Sequence, residues 1–171
     1  MRGATALRLF VVMLGGRHAR ARTEVHDVAF AVAANLDATH AQLRQQWFGE
    51  QKGVHIDSWL EVEGVDGWQL HFAGSATAPG QPRLFFVNLG GYVPGHFGEA
   101  HRYLLVVAGD AAEAGHAAKS RIDPGWLAPH KDALLDVDDC LPIDVVGGRF
   151  VHLVPGPHRP AHPQSDYILL H

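Results

Sequence analysis

The sequence predicts an α+β protein: two tandem β-β-α-β-β units related by a pseudo-two-fold and sharing one core. Three observations carry this reading. The stretch LFVVMLGG at 9–16 returns as LFFVNLGG at 84–91. A shift of 75 residues then pairs Arg8, Leu9, Phe10, Val12, Leu14, Gly15 and Gly16 with Arg83, Leu84, Phe85, Val87, Leu89, Gly90 and Gly91. Without a gap it goes on to pair Glu24, His26, Val32, Ala33, His55, Asp57, Leu60 and Val62 with Glu99, His101, Val107, Ala108, His130, Asp132, Leu135 and Val137. Two copies are too few for a solenoid, whose repeats stabilise one another by stacking, so a duplicated domain is expected.

Within one unit, the strand expected over 8–14 is apolar at both odd and even positions from Leu9 to Leu14, as in a central strand covered on both faces. The glycine pair ends it. A second strand is expected over 24–33, where Ala29, Ala31 and Ala33 leave room for a close-packed helix. That helix is expected over 37–48, with Asp37 as its N-cap and Leu36, Leu43 and Trp47 on its apolar stripe. In the second half, Asp110 and Glu113 form a capping box, and Ala111, Ala118 and Ile122 replace the bulky stripe. Strands at 58–63 and 68–73 complete the first unit. QLHFAG at 69–74 resembles FVHLVPG at 150–156 when a short insertion is placed at 141–148. The units are bounded as 1–78 and 83–154, joined by a linker at 79–82 inside the Gly/Pro/Ser-rich stretch 74–82. A Pro/His-rich tail, 155–171, ends in a short strand at DYILLH.

Composition narrows the function. The net charge of −4 argues against a nucleic-acid partner, which requires a basic surface. RHARAR at 17–22 is the basic exception and reads as a solvated turn. The N-terminal apolar run resembles an export signal, but Arg8 interrupts it and its twin lies in mid-chain. No apolar run reaches the roughly 20 residues that span a bilayer. A cytoplasmic location without membrane association is expected. The single cysteine, Cys140, excludes an intramolecular disulfide framework and reads as a small apolar filler. The glycine pair is not a phosphate loop, because neither G-K-[ST] nor a helix follows it.

The 13 histidines make position decisive. The polar residues kept in both halves are Glu24 and Glu99, His26 and His101, His55 and His130, and Asp57 and Asp132. Glu24 and His26, two apart on a strand, share a face. If His55 and Asp57 converge on them, each half gathers two imidazoles and two carboxylates. Such a cluster has three readings: a divalent metal site at Glu24, His26, His55 and Asp57; an acid–base constellation drawing on His26, His55, Asp57 and Asp27; or a hydrogen-bond network that ties loop to strand. Asp27 has Arg102 as its counterpart, so the EVHD copy is the better candidate for an active one. The tail histidines His158, His162 and His171 lie among prolines and suit only adventitious metal binding.

FVVMLGG, EVHDVAF, LRQQWFG and HIDSWLEVEG, followed by LFFVNLGGY and EAHRYLLVVA, resemble the bacterial family catalogued as domain of unknown function 1543. The second half departs from the pattern at Arg102 and at IDPGWLAP. The resemblance implies a soluble bacterial protein with one or two copies of such a unit, and it carries no activity. The expected function is a module that binds a small ligand or a protein. A metal-dependent or acid–base enzyme is the alternative, and a homo-oligomer joined through exposed strand edges is a further expectation.

Overall fold

The structure, a computed structural model, describes residues 6–123 and 136–171. The elements in order are β1 (Arg8–Gly16), β2 (Val25–Ala33), a 3₁₀ turn (Asp37–Thr39), α1 (His40–Gln46), β3 (His55–Val62), β4 (Gly64–Val65) and β5 (Trp68–Ala73). They continue with β6 (Arg83–Gly91), β7 (Ala100–Ala108), α2 (Ala111–Ser120), β8 (Asp136–Pro142), β9 (Val145–Val146), β10 (Arg149–Pro155) and β11 (Gln164–Leu169). The class is α+β, with strands dominant, and the strands form three antiparallel sheets ordered β11-β3-β1-β2, β4-β5-β10-β9 and β7-β6-β8. Among the described residues no helix is long and apolar enough to cross a membrane.

The chain divides into two compact units, one holding the residues up to Ser75 together with Val145–His171, the other Ala76–Asp144. This cuts the chain differently from the sequence repeat. β10 pairs with β5 along its length, from Phe150 opposite Ala73 to Pro155 opposite Trp68, and so belongs with the first unit.

In the first unit β1 is central, flanked by β2 and β3. Phe10, Val12 and Leu14 project from one face and join Ala29, Ala31 and Ala33 of β2 with Leu43 and Trp47 in a buried cluster. The small β2 residues let α1 lie close, as their size predicts. Leu9 and Val11, on the other face, are also buried. The free edge of β2 is closed by α1. The Gln42 amide accepts from Val32 N–H and donates to its carbonyl, and Gln46 does the same at Phe30. Two side-chain amides stand in for a neighbouring strand, so this edge offers little to a second copy over those residues.

The second unit repeats the arrangement with a leaner core. Phe85, Val87 and Leu89 of β6 pack with Val106, Ala108, Ala114 and Ala118. Ala111, expected on the stripe, is exposed, and Ala114 takes that place. Cys140 packs against this cluster, and burial pushes its thiol above the usual range, consistent with an apolar filler.

One expected helix cap fails and the other forms, each for a local reason. Asp37 does not cap. It opens the 3₁₀ turn, and Asn35 Oδ1 instead accepts the Ala38 N–H at 3.0 Å. Asp110 does cap: its carboxylate accepts the Glu113 N–H at 2.8 Å, while Glu113 reaches back to Gly109 N–H at 2.7 Å. Asp110→Ala should therefore cost about 1 kcal/mol in urea unfolding. Asp37→Ala should stay within about 0.5 kcal/mol.

The β4–β5 and β9–β10 hairpins each use a two-residue loop with left-handed backbone, Asp66–Gly67 and Gly147–Gly148. Asp-Gly and Gly-Gly suit such a turn because both central residues need positive φ.

The tail after β10 is tied down. Gln69 donates to the Pro157 carbonyl, Gly67 N–H donates to His158 Nε2, and Arg159 forks onto Glu63. The Arg159 hydrogen bonds hold the Glu63 carboxyl below its ordinary range. A carboxyl lowered in the folded state contributes stability above its unfolded pKa, and that contribution fades as pH falls through the folded value. Arg159→Ala should lower Tm at neutral pH, and the gap from wild type should narrow as pH falls from the unfolded carboxyl value through the lower folded one. Thermal melts at pH 7 and pH 3 check this. β11 then pairs with β3, which the sequence reading did not place; it lies at 164–169 rather than 166–171.

Candidate metal centre

Gly15 is the floor of the site. Its Cα partners across the sheet are His26 on β2 and His55 on β3, so the row reads His55–Gly15–His26. His55 and Asp57 lie on β3, His55 as its first residue. The β1–β3 register slips between Met13 and Leu14, which leaves Asp57 as the extra residue of a bulge. Bulges re-aim side chains. Asp57 leans into the row together with Glu24, the last loop residue before β2.

Four side chains converge here. His55 Nε2 lies 2.9 Å from Glu24 Oε1 and 3.2 Å from Asp57 Oδ1. His26 Nε2 lies 3.0 Å from Asp57 Oδ2 and 3.7 Å from Glu24 Oε1. One donor atom each from Glu24, His55 and Asp57 lies within 4.8 Å of the others. A Cβ at Gly15 would stand 2.6 Å from His55 Nε2, 2.7 Å from Asp57 Oδ2 and 2.8 Å from Glu24 Oε1. The first glycine of the pair is therefore the space in which the cluster meets. The second has another reason: a Cβ at Gly16 would press on the Trp47 ring at 2.8 Å.

The His55 ring is buried, whereas His26, Glu24 and Asp57 reach solvent. Tyr167, from β11, lies against it with ring centroids 4.2 Å apart. His55 Nδ1 is 2.9 Å from the Gly53 carbonyl. A carbonyl only accepts, so Nδ1 carries the proton and Nε2 faces two carboxylate oxygens. A proton or a cation must lie between them. A ligating histidine is commonly held this way, its second nitrogen fixed by a backbone carbonyl.

Asp27 stays outside the cluster. It alternates to the opposite face of β2, and its carboxylate accepts the Val28 N–H.

The second unit holds a thinner version. Gly90 is flanked by His101 and Asp136, and the bulge residue of β8 is Asp138. Glu99, His101 and Asp138 come together there. Of the residues expected in this half, Glu99 and His101 are thus gathered, while His130 and Asp132 lie outside the described residues. By strand register, the position of His55 is held by Asp136 and that of Asp57 by Asp138. The gap-free shift of 75 therefore fails beyond the helix, where the offset becomes 81. The segment 47–54 joins α1 to β3, but the longer segment 121–135 joins α2 to β8. The insertion lies there, not at 141–148. His101 Nδ1 is 3.1 Å from Asn88 Oδ1 and 3.2 Å from Asp138 Oδ2, while Asn88 Nδ2 donates to Asp139. This imidazole is already engaged in a hydrogen-bond network, and among the described residues no second histidine joins the cluster. Sequence reasoning missed Asp138, Asn88 and Tyr167. Pairing VDDCL with IDSWL would have found Asp138.

Fold and site together define a strand-borne histidine–carboxylate centre on an antiparallel α+β scaffold. Residues 21–72, which include Glu24, His26, His55 and Asp57, match the family described as Domain of Unknown Function (DUF1543), and the chain carries that domain. It is also similar to the crystal structure of a protein Il1583 from Idiomarina loihiensis, at 30% identity and a TM-score of 0.74, over 96% of this chain and 98% of that one. The two chains belong to one family. No curated protein matches the chain.

Proposed function

We propose that the chain is a small-ligand-binding module built from a duplicated unit, and that the ligand of its first site is a divalent metal ion held by Glu24, His55 and Asp57 with His26 beside them. The observation that carries this is the convergence of four donors above Gly15, with the His55 proton committed to Gly53 and its Nε2 turned toward the carboxylates. Tetrahedral zinc with bonds of about 2.0–2.1 Å separates its ligand atoms by roughly 3.3 Å. The His55 separations of 2.9 and 3.2 Å are close to that. Mixed nitrogen and oxygen donors suit zinc, and also manganese or iron. The exposed side of the cluster leaves a coordination position for water or a ligand, and any metal-dependent or acid–base chemistry would be seated there.

The duplication is supported by the like registers of β1–β2 and β6–β7, by the bulge at the same place in β3 and β8, and by β5 and β10, which pair antiparallel with His71 opposite His152. Among the described residues the second site has one imidazole, already engaged, and is the weaker of the two.

Zinc titration calorimetry on tag-free protein tests the reading. One site should titrate, His55→Ala should remove it, and His101→Ala should leave it. If zinc does not bind and His55→Ala simply costs about 1–3 kcal/mol of stability, the cluster is a hydrogen-bond network.

A further inference from the structure

The loop that carries the first site differs in charge from its counterpart. Residues 17–24 join β1 to β2 and include Arg17, Arg20 and Arg22, all exposed. Arg17 follows the floor glycine, Gly15, by two residues, and Arg22 precedes Glu24 by two. The loop is pinned at its base. Glu50 N–H donates to the Arg17 carbonyl at 2.7 Å, His18 lies against Phe48 with centroids 5.6 Å apart, and Ala21 N–H closes a turn on His18. Among the described residues none of the three arginines forms a salt bridge, although the chain is acidic overall. The matching loop of the second unit, 92–99, reads YVPGHFGE and holds no arginine. Among the described residues, the arginines and the fuller donor set thus occur together, in the same unit.

We infer that the first site takes an oxyanion of the phosphate class, bound through its oxygens to the metal and to the guanidinium groups of Arg17, Arg20 and Arg22. This rests on the metal reading above. Without a cation, Glu24 and Asp57 repel an anion. A divalent ion cancels both charges and leaves the arginines as the dominant local field. Guanidinium matches phosphate oxygens through paired N–H donors. Three arginines and a metal offer more donors than the two oxygens of a carboxylate can use, and phosphate has the extra oxygens and charge.

The test is calorimetry on the full chain, loaded with zinc and freed of excess metal, with inorganic phosphate as the probe and acetate as the comparison. Zinc-loaded wild type should bind phosphate at least tenfold more tightly than it binds acetate. Metal-free wild type should bind phosphate at least tenfold more weakly. So should the zinc-loaded variant combining Arg17→Ala, Arg20→Ala and Arg22→Ala, whose zinc titration should match that of wild type. Equal phosphate affinity in the arginine variant, acetate bound as tightly as phosphate, or no phosphate binding by zinc-loaded wild type overturns the inference while the metal reading stands. Failure of the initial zinc titration overturns both.

Discussion

Gly15→Ala should abolish the zinc-dependent rise in melting temperature while leaving the metal-free protein folded. A ligand present at a hundredfold excess over its Kd stabilises the native state by about 2.7 kcal/mol, which for a chain of this size is a shift on the order of 5–10 °C. Wild type should show that rise. In the variant, the new methyl would fall within 2.6–2.8 Å of His55 Nε2, Asp57 Oδ2 and Glu24 Oε1. The carboxylates are at the ends of flexible, solvent-facing side chains and can swing away, while the buried His55 ring must tilt, which lowers stability but leaves the sheet paired, and the donors no longer meet. Differential scanning calorimetry with and without zinc reads both halves of this expectation. A variant that keeps the rise would show that the donors do not need the space over Gly15.

Phe10→Ala should destabilise the protein by about 3–5 kcal/mol in urea unfolding, without creating or removing any polar contact. Phe10 is fully buried at the centre of the first unit's cluster, between the β2 alanines and α1. The surrounding residues belong to strands in register and cannot easily collapse into the space. Ile56→Val, in the same cluster, removes one methylene and should cost about 0.5–1.5 kcal/mol. A loss under 1 kcal/mol for Phe10→Ala would mean that this cluster does not hold the unit together.

Strand content was legible because burial on both faces leaves a continuous apolar run, as in 9–14, and because burial on one face leaves small residues at alternate positions, as in Ala29, Ala31 and Ala33. The first site was legible in its residues but not in its geometry. Glu24, His26, His55 and Asp57 stand out as polar residues in an apolar setting. The bulge that turns Asp57 inward depends on pairing with β1, which no local pattern encodes. A last strand in the tail was legible, but its pairing with β3 was not, since it joins residues more than a hundred positions apart, as Gln164 with Trp59. At the second site, His130 and Asp132 fall into line with His55 and Asp57 when no gap is allowed, and both lie outside the described residues. An insertion between a helix and a strand changes no periodicity, so only the sheet register reveals that Asp138 holds the place of Asp57. Asp37 failed as a cap because Asn35, two residues earlier, bonds the first free N–H.

The most direct test of the central claim is an anomalous difference map, recorded at the zinc edge from a crystal of tag-free protein grown with one equivalent of zinc. One dominant peak should be bounded by Glu24, His55 and Asp57, with His26 beside it. A dominant peak at His158, His162 or His171 with none above Gly15 would contradict it.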